Sequence, residues 1–271
     1  TYDFKIEYTI KDPTTNVETV VTQILTNKTF DKGNIYDITA NLMPPEFGKF
    51  YMWDAQQDYW WGHEADQTIV NNTIGQNWPT SKSNDPQRWY NDGSTGTPAS
   101  PARYDAQTER FSKIPNVNEM LWYVYHGDPH WEDATGHVMV YHNHLQVFNV
   151  GGIWLKKKAK IMADEGITKE QMESGYPKVN PNDFRADQNI TLSAVVPSTA
   201  PVPNNTDYFF LPALGNYYEG SFTNMGLAGF YWSSSFYPFG NKSAYALCAS
   251  KFGIYLFISL GTRGLPAWPF E

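Results

Sequence analysis

The sequence predicts an α+β fold, in which short helices in the middle of the chain precede a sheet that ends it. Alternating or β-branched residues dominate residues 3–42 and most of the chain after residue 189. Two segments between these regions carry helix-capping signals. With 271 residues the chain is long enough to bury a large core, as one domain or as one domain with a smaller piece.

The N-terminal region is typical of β-strands. Its three stretches are "DFKIEYTI" (3–10), "ETVVTQILTNKTF" (18–30) and "DKGNIYDITANL" (31–42), the last containing a Lys-Gly-Asn turn. Three strands rarely form a stable unit alone, so we expect the remnant of a β-sandwich or a lid packed on the rest of the chain. Pro44 and Pro45 interrupt the pattern. We therefore expect two domains, residues 1–45 and 46–271.

Residues 46–110 form a long, polar and turn-rich segment without periodicity. Such a segment is either disordered or a functional loop. Its aromatic residues favour a loop that is fixed by buried rings. These residues are Trp53, Tyr59, Trp60, Trp61, Trp78, Trp89 and Tyr90.

Helices are predicted at two places. In "PNVNEMLWYVYHG" (115–127), Asn116 and Glu119 have the spacing of a capping box, and a glycine ends the segment. In "ITKEQMESGY" (167–176), Thr168 and Gln171 have the same spacing, and Gly175 follows. The stretch "GGIWLKKKAKIM" (151–162) fits either a helix or a strand.

Composition excludes several classes of function. The net charge of −8 argues against nucleic-acid binding, and the only basic run, residues 156–160, is typical of a solvated face. No stretch reaches the roughly 20 apolar residues that span a bilayer. The single cysteine, Cys248, excludes an intrachain disulfide and a cysteine-based zinc site. Aromatic residues make up 16% of the chain, which is typical of exported proteins and of carbohydrate or protein contact.

The closing stretch alternates two kinds of side chain. In "GIYLFISLG" (253–261) one face of a strand is aliphatic, with Ile254, Leu256, Ile258 and Leu260. The other face is aromatic or small, with Tyr255, Phe257 and Ser259. Either the strand is buried on both sides, or the aliphatic face is core and the other is displayed.

Several motifs carry a resemblance to a known family. From residue 207 onward the chain has Leu-Pro-Ala (211–213), Gly-x-Tyr-Trp-Ser-Ser-Ser (229–235), Ala-Tyr-x-Leu (244–247) and Arg-Gly (263–264). This pattern resembles the C-type-lectin-like domains of bacterial major-paralogous repeats and of fimbrillin-type pilus-tip proteins. Residues 30–42 resemble the closing strands of a fimbrillin β-sandwich. The resemblance covers residues 18–42 and 104–271, and it implies a C-type-lectin-like fold after the sandwich remnant.

The same lectin-like fold carries the variable region of proteins that retroelements diversify, in which scaffold positions alternate with displayed ones. Between Ser235 and Thr262, only Lys242 and Lys251 cannot be encoded by a codon ending in a pyrimidine, as adenine-templated diversification would give. The resemblance therefore implies a displayed, hypervariable ligand-binding set. Its members are Phe236, Tyr237, Phe239, Asn241, Ala246, Cys248, Ser250, Phe252, Tyr255, Phe257 and Ser259. Tyr231, Trp232, Tyr245, Leu247 and the aliphatic row 254–260 are then scaffold.

Candidate catalytic and metal sites are weaker. Five histidines lie between His126 and His144, together with three carboxylates, and could supply ligands to a divalent ion. None has the i, i+4 spacing on a clearly predicted helix that identifies a metal pair. The calcium triplets of sugar-binding lectins and the paired cysteines of formylglycine-generating oxidases are missing, and Ser233–Ser235 have no histidine or acid nearby in sequence. We expect no catalytic residue, metal or cofactor.

These observations predict a non-catalytic adhesin or pilus-tip protein at the bacterial surface, outside the cell. Its partner would be a protein or glycan ligand, with other pilin subunits as a further partner, but no nucleic acid. Two alternatives stay open at this point. One is a metal-dependent enzyme that uses the histidines from His126 to His144, and the other is a structural pilin subunit that accepts a strand from its neighbour.

Overall fold

The structure is a computed structural model and describes ten stretches of the chain: residues 2–11, 18–33, 49–68, 72–81, 83–88, 106–133, 138–140, 147–186, 193–239 and 242–271. The described residues contain both helices and strands, so the α+β class is confirmed. The chain divides into two compact units. The first contains Thr1–Gly48 and Thr135–Asn149, and the second contains Lys49–Ala134 and Val150–Glu271.

The first unit contains two antiparallel strand pairs. Strand β1 (Tyr2–Lys11) pairs with β2 (Glu18–Lys28), at the two N-terminal positions where alternating and β-branched residues predict strands. Strands β4 (Val138–Val140) and β5 (Val147–Asn149) form the other pair. The part of the third predicted N-terminal strand that follows Gly33 lies outside the described residues.

The second unit contains two sheets. One has the order β3-β6-β7, from His130–Glu132, Gly152–Lys156 and Tyr208–Pro212, and is antiparallel throughout. The other has five strands in the order β12-β11-β10-β8-β9. Their bounds are Leu214–Tyr218 for β8, Ser221–Met225 for β9, Ala228–Phe236 for β10, Ser243–Ser250 for β11 and Gly253–Leu260 for β12.

Strands β10, β11 and β12 are antiparallel neighbours, whereas β8 and β10 are parallel. The parallel pair meets at Gly215 and Gly229. Gly215 has a φ of +70°, and a Cβ there would lie 2.2 Å from the carbonyl oxygen of Thr223. Thr223 lies on β9, so only glycine fits the close approach of the β8 and β9 backbones. The pairing of Gly215 with Gly229 joins this hairpin to the closing antiparallel sheet.

The described part of the second unit contains four α-helices: α1 (Glu109–Ser112), α2 (Val117–His126), α3 (Lys158–Glu165) and α4 (Lys169–Ser174). Both predicted capping boxes are present, at Asn116 with Glu119 and at Thr168 with Gln171. The ambiguous stretch 151–162 is a strand followed by a helix, because its apolar half pairs with β3 and β7 while its lysine-rich half begins α3.

The core of the second unit lies between α2 and the closing sheet. Helix α2 packs against β10, β11 and β12, and all but the last two of its residues are buried. The ring of Tyr123 on this helix lies 5.5 Å from that of Phe209 and 5.3 Å from that of Phe270. Tyr231 on β10 contacts Phe270 from the sheet side, at 6.0 Å. Aromatic rings thus fill the space between helix and sheet.

Buried rings also fix the turn-rich segment after residue 49. Trp53, Tyr59 and Trp60 are almost fully buried, as the aromatic composition of this segment predicts. Tyr59 stacks on Tyr217 of β8, with ring centroids 5.1 Å apart. The indole of Trp53 donates to the carbonyl of Ser233 on β10 at 2.9 Å. Trp61, by contrast, is exposed, and Trp89 and Tyr90 lie outside the described residues.

Candidate ligand-binding surface

The register of the closing sheet brings aromatic and small residues into rows. Cys248 on β11 lies between Phe230 on β10 and Tyr255 on β12. In the next row, Ala246 lies opposite Phe257. Since alternate residues of a strand share a face, all five side chains project from the same side of the sheet. We call these five residues the aromatic face.

The rings of the aromatic face are half-buried and the small residues beneath them are buried. Phe230, Tyr255 and Phe257 all keep part of their surface in solvent. The ring of Phe257 lies 5.8 Å from that of Phe230 and 6.5 Å from that of Tyr255. Ala246 and Cys248 form the floor, with 0% and 4% of their surfaces exposed. The Phe257 ring thus contacts the other two, and the three rings offer an apolar surface with two small residues below.

A polar contact lies within this apolar surface. A hydrogen bond joins the hydroxyl of Tyr255 to the thiol of Cys248. Burial raises the pKa of Cys248, although the contact with Tyr255 opposes the shift. The hydrogen bond with Cys248, together with burial, raises the pKa of Tyr255 to about 12. Both groups are therefore uncharged at neutral pH, and the aromatic face presents no ionised side chain of its own.

Ser250 and Phe252 lie where β11 turns into β12. Ser250 is half-buried, and its hydroxyl donates to the carbonyl of Gly253 at 3.2 Å. Phe252 is 86% exposed, the largest exposed fraction among the large apolar side chains of the described residues. It is accessible to a partner, as the display interpretation requires. Asn241, another predicted member, lies outside the described residues.

Four predicted display residues are buried, which corrects the expectation that their side chains are exposed. Phe236 is covered by Trp53, whose ring lies 5.3 Å away, because the segment after residue 49 crosses this end of the sheet. Ser259 lies opposite the buried Ala244 at the same end. Ala246 and Cys248 are too short to emerge between neighbouring rings. A ligand reaches none of these four side chains without displacing the residues above them.

Tyr237 and Phe239 lie apart from the aromatic face. Their rings contact each other at 5.9 Å, and Tyr237 also contacts the buried ring of Tyr245, 5.5 Å away. Tyr245 alternates with Ala246 along β11 and so projects from the opposite side of the sheet. The aromatic members of the predicted display set, Phe236, Tyr237, Phe239, Tyr255 and Phe257, therefore do not form one exposed patch.

The aliphatic row of β12 is core along only half of its length. Ile254 and Leu256 are buried beneath α2, whereas Ile258 and Leu260 are 41% and 45% exposed. The assignment of Ile258 and Leu260 to the scaffold core is thus incorrect.

Phe230 is the member of the aromatic face that the sequence interpretation missed. It precedes the Tyr-Trp-Ser-Ser-Ser block, which resembles scaffold, and lies outside the window from residue 236 onward. Alternation along the strand was the signal that could have identified it. Phe230 and Trp232 are two residues apart and so share a face, and Trp232 pairs with Ala246, a member of the aromatic face.

The two described histidines of the His126–His144 cluster have separate structural partners. Nδ1 of His126 lies 2.8 Å from Oε1 of Glu165, and its ring contacts Trp122. Nδ1 of His130 lies 2.7 Å from the carbonyl oxygen of Ala200. His137, His142 and His144 lie outside the described residues. Within the residues that the structure describes, no group of three His, Cys, Asp or Glu side chains could hold a metal ion.

The serine run of β10 makes structural contacts. The hydroxyl of Ser233 donates to the carbonyl of Ser235 and accepts from its backbone N–H. The hydroxyl of Ser235 accepts from the backbone N–H of Val117 at 3.1 Å, at the start of α2. These hydroxyls join the sheet to the first turn of the helix, where backbone donors lack helical partners.

Two further searches give negative results. In the part of the chain that the structure describes, no helix is long and apolar enough to cross a membrane. Comparison with protein-family models, with curated proteins and with solved structures finds no match for this chain.

Proposed function

We propose that this chain is a non-catalytic ligand-binding module of the C-type-lectin-like kind, which acts at a bacterial surface as an adhesin or at the tip of a pilus. The observation that carries the proposal is the aromatic face, in which Phe230, Tyr255 and Phe257 lie half-exposed on one side of the closing sheet, with the Phe257 ring in contact with the other two. Its ligand is a protein or a glycan.

The physical chemistry of this surface suits recognition better than catalysis. Aromatic side chains bring a large contact area and lose few rotatable bonds on binding. The Phe257 ring already packs against the other two, above the buried Ala246 and Cys248. Binding of a ligand therefore costs little side-chain entropy. The neutral hydroxyl of Tyr255 adds one hydrogen-bonding group, which can fix the orientation of a ligand on the surface.

Contacts between the resembling motifs support the lectin-like part of the proposal. The hydroxyl of Tyr231, in the Gly-x-Tyr-Trp block, donates to the carbonyl of Pro212, in the Leu-Pro-Ala block. The indole of Trp232 donates to the carbonyl of Tyr51, and its backbone N–H donates to Pro266 after the Arg-Gly pair. The motifs that carry the resemblance are therefore joined at one place in the fold, as residues of a shared scaffold would be.

Adhesion of protein-coated beads to epithelial cells and to other bacteria tests the proposal. Phe257→Ala should reduce adhesion, because loss of a hot-spot ring costs about 2 kcal/mol or more of binding. Trp61→Ala is the matched control, since Trp61 is an exposed aromatic outside the closing sheet. Equal adhesion of all three proteins would contradict a role for the aromatic face.

The two alternatives have distinct signatures. A metal-dependent enzyme using His126–His144 predicts a large rise in Tm with zinc, because a ligand that binds only the folded state stabilises it. A structural pilin predicts polymers of the purified chain, formed by strand addition at an open sheet edge. A monomer without a metal-dependent rise in Tm, whose adhesion depends on Phe257, would favour the adhesin over both.

A further inference from the structure

The closing sheet has an edge that the described chain leaves partly open. Strand β12 lies at this edge, at the end of the strand order. Ile258 and Leu260, near the end of β12, are 41% and 45% exposed. Neither residue belongs to the aromatic face, and the proposed function leaves both without a role.

Hydrogen bonds at the start of β12 show which of its backbone groups face outward. Ile254 exchanges two backbone hydrogen bonds with Val195, of 2.9 and 3.0 Å. The N–H and the carbonyl of Ile254 therefore point away from β11. Since these directions alternate along an antiparallel strand, the backbone groups of Leu256, Ile258 and Leu260 point outward as well. Leu256 is buried, so the accessible part of the edge begins at Ile258.

The segment that contains Val195 pairs with this edge over a short distance only. At Ser193 the chain bonds to helix α2 instead, and its carbonyl accepts from the hydroxyl of Tyr125 at 3.2 Å. The carbonyl of Leu260 accepts from the N–H of Arg263. No described residue bonds to the N–H or carbonyl of Ile258, or to the N–H of Leu260. We call these three backbone groups the open edge.

Edges of two other strands are covered by extended chain. On β9, the N–H of Phe222 donates to the carbonyl of Thr73, and its carbonyl accepts from Asn72. On β3, the N–H of Trp131 donates to the carbonyl of Ser198 at 2.7 Å. The fold thus pairs extended segments with its sheet edges elsewhere, and the open edge stands out against them.

The open edge also lacks the features that usually prevent unwanted pairing. Edge strands are normally protected by charged side chains, by proline or by a bulge. Residues 257–261 contain no charged residue and no proline, and the register between β11 and β12 runs without a shift. The backbone here is therefore available to another strand.

Side chains on both sides of β12 lie where they would contact an added strand. Ile258 and Leu260 project from one side of the sheet, and Phe257, of the aromatic face, projects from the other. All three keep part of their surface in solvent. An added strand would therefore be flanked by apolar surface on both sides, continuous with the aromatic face.

A lysine lies beside the end of the open edge. The carbonyl of Lys242 accepts from the N–H of Gly261 at 2.7 Å, which places Lys242 next to the last residues of β12. Lys242 is exposed and forms no ion pair with a described residue. Residues 231–261 contain no carboxylate, so β12 of a second copy could not supply an acid to this lysine. Charge complementarity favours an acidic segment of another protein.

We propose that the open edge binds an extended peptide segment of a partner protein, with apolar side chains at alternate positions and an acidic residue near Lys242. The proposal rests on the proposed function and deepens it, because it names the class of protein ligand. Addition of a strand to a sheet edge is a common mode of peptide recognition, in which backbone hydrogen bonds supply affinity. Val195 pairs with the edge in the antiparallel direction, and we expect the same direction for the peptide. The acidic residue then lies at its N-terminal end.

Titration of the intact protein with the peptide acetyl-Glu-Val-Thr-Val-Thr-amide tests the proposal. In the free protein the backbone amides of Ile258 and Leu260 should exchange rapidly with solvent, and the peptide should shift both signals and slow their exchange. The valines lie opposite Ile258 and Leu260, so their N–H groups face β12. N-methylation of both valines should abolish binding, whereas N-methylation of the threonines should leave it unchanged.

Ile258→Pro removes one outward N–H and leaves the hydrogen bonds to β11 intact, since proline is tolerated on an edge strand where the N–H faces solvent. It should weaken binding of the peptide about tenfold or more. Slow alkylation of Cys248 checks that the closing sheet is folded, and Leu227→Ala is the control at an exposed apolar residue outside β12. Lys242→Glu, which does not alter β12, should weaken binding about threefold and favour a peptide that begins with lysine.

Four results would overturn the proposal. The first is no shift of the two amides with the peptide, and the second is equal binding by folded Ile258→Pro. The third is slow exchange of both amides in the free protein, since the edge would then already be paired. The fourth is a dimer or polymer that Ile258→Pro converts to a monomer, since a second copy would then occupy the edge. Bead adhesion that is lost in Phe257→Ala but kept in Ile258→Pro would reject the open edge alone and leave the aromatic face as the ligand site.

Discussion

At the scale of single residues, the contact between Cys248 and Tyr255 determines how the one thiol of the chain behaves. Cys248 is 4% exposed, and burial raises its pKa. The thiolate is the reactive form of cysteine, so a buried thiol with a raised pKa reacts slowly. Tyr255 both covers the sulfur and donates a hydrogen bond within the same row of the sheet.

Removing the tyrosine ring should therefore expose the thiol. We expect Tyr255→Ala to increase the rate of Cys248 alkylation by iodoacetamide at pH 8 by about tenfold or more, because access to the sulfur rises and the loss of burial outweighs the loss of the Tyr255 contact that lowers the pKa of the thiol. Tyr237→Ala, on the other side of the sheet, should leave the rate unchanged. A slow rate in both variants would show that other residues shield Cys248.

Asp183 is a second residue whose environment predicts a measurable effect. Burial raises its pKa, but the ion pair with Arg185 and a hydrogen bond from Asn118 outweigh burial, so the pKa lies below the ordinary value of 3.8. Both Arg185 contacts are 2.7 Å long, and the Asn118 amide lies 2.9 Å away. A lowered pKa contributes stability that is present above the ordinary value and lost as the pH falls through the folded one.

Asp183→Asn should accordingly lower the Tm at pH 7 and have a smaller effect at about pH 2, because protonation of the native carboxyl as the pH falls removes part of its charged contacts. The size of the effect is limited, since Asp183 is partly exposed and solvent screens its charge. Melting curves of both proteins at the two pH values give the comparison. An equal decrease in Tm at both pH values would mean that the variant loses packing and not a charged contact.

At the scale of elements, β12 changes from core to surface along one face. Leu256 is 2% exposed and lies beneath α2, whereas Ile258, two residues further along the same face, is 41% exposed. Leu256→Ala should cost roughly 2–5 kcal/mol of unfolding free energy through the cavity it leaves. Ile258→Ala should cost less than about 1 kcal/mol, as at a surface position.

Denaturant unfolding of the two alanine variants measures this contrast directly. Tyr255→Ala, on the opposite face, should resemble Ile258→Ala more than Leu256→Ala because its ring is half-exposed. A cost for Tyr255→Ala equal to that for Leu256→Ala would mean that β12 is buried on both sides. The prediction that Tyr255 and Phe257 are displayed would then be wrong.

Local signals predicted the elements better than they predicted burial. The capping boxes at Asn116 and Thr168 fixed where α2 and α4 begin, because both partners of each box lie within one turn of the chain. Alternation in β12 gave the two faces but not where cover ends, which depends on segments distant in sequence, such as the one that carries Trp53. The cleft beside β3 and β6, lined by Trp131 and Trp154, was not predicted, since its walls come from three separate segments.

At the scale of the whole molecule, one segment of the first unit, residues 135–149, interrupts the sequence of the second. Residues 135–149 belong to the first unit, while the strands on either side, β3 and β6, are paired neighbours in the second. Glu132 lies directly opposite Gly152, so the chain leaves and re-enters the sheet at adjacent positions. Two antiparallel strands with adjacent ends can be joined by a short turn.

This topology predicts that the second unit folds without the first. A variant that begins at Lys49 and replaces residues 135–149 with a Gly/Ser turn of about four residues keeps every strand of the two sheets and all four helices. We expect it to unfold in one cooperative thermal transition and to keep the slow alkylation of Cys248, which reports an intact closing sheet. Loss of cooperativity together with rapid alkylation would show that residues of the first unit complete the core, and that the compact units are not independent in folding.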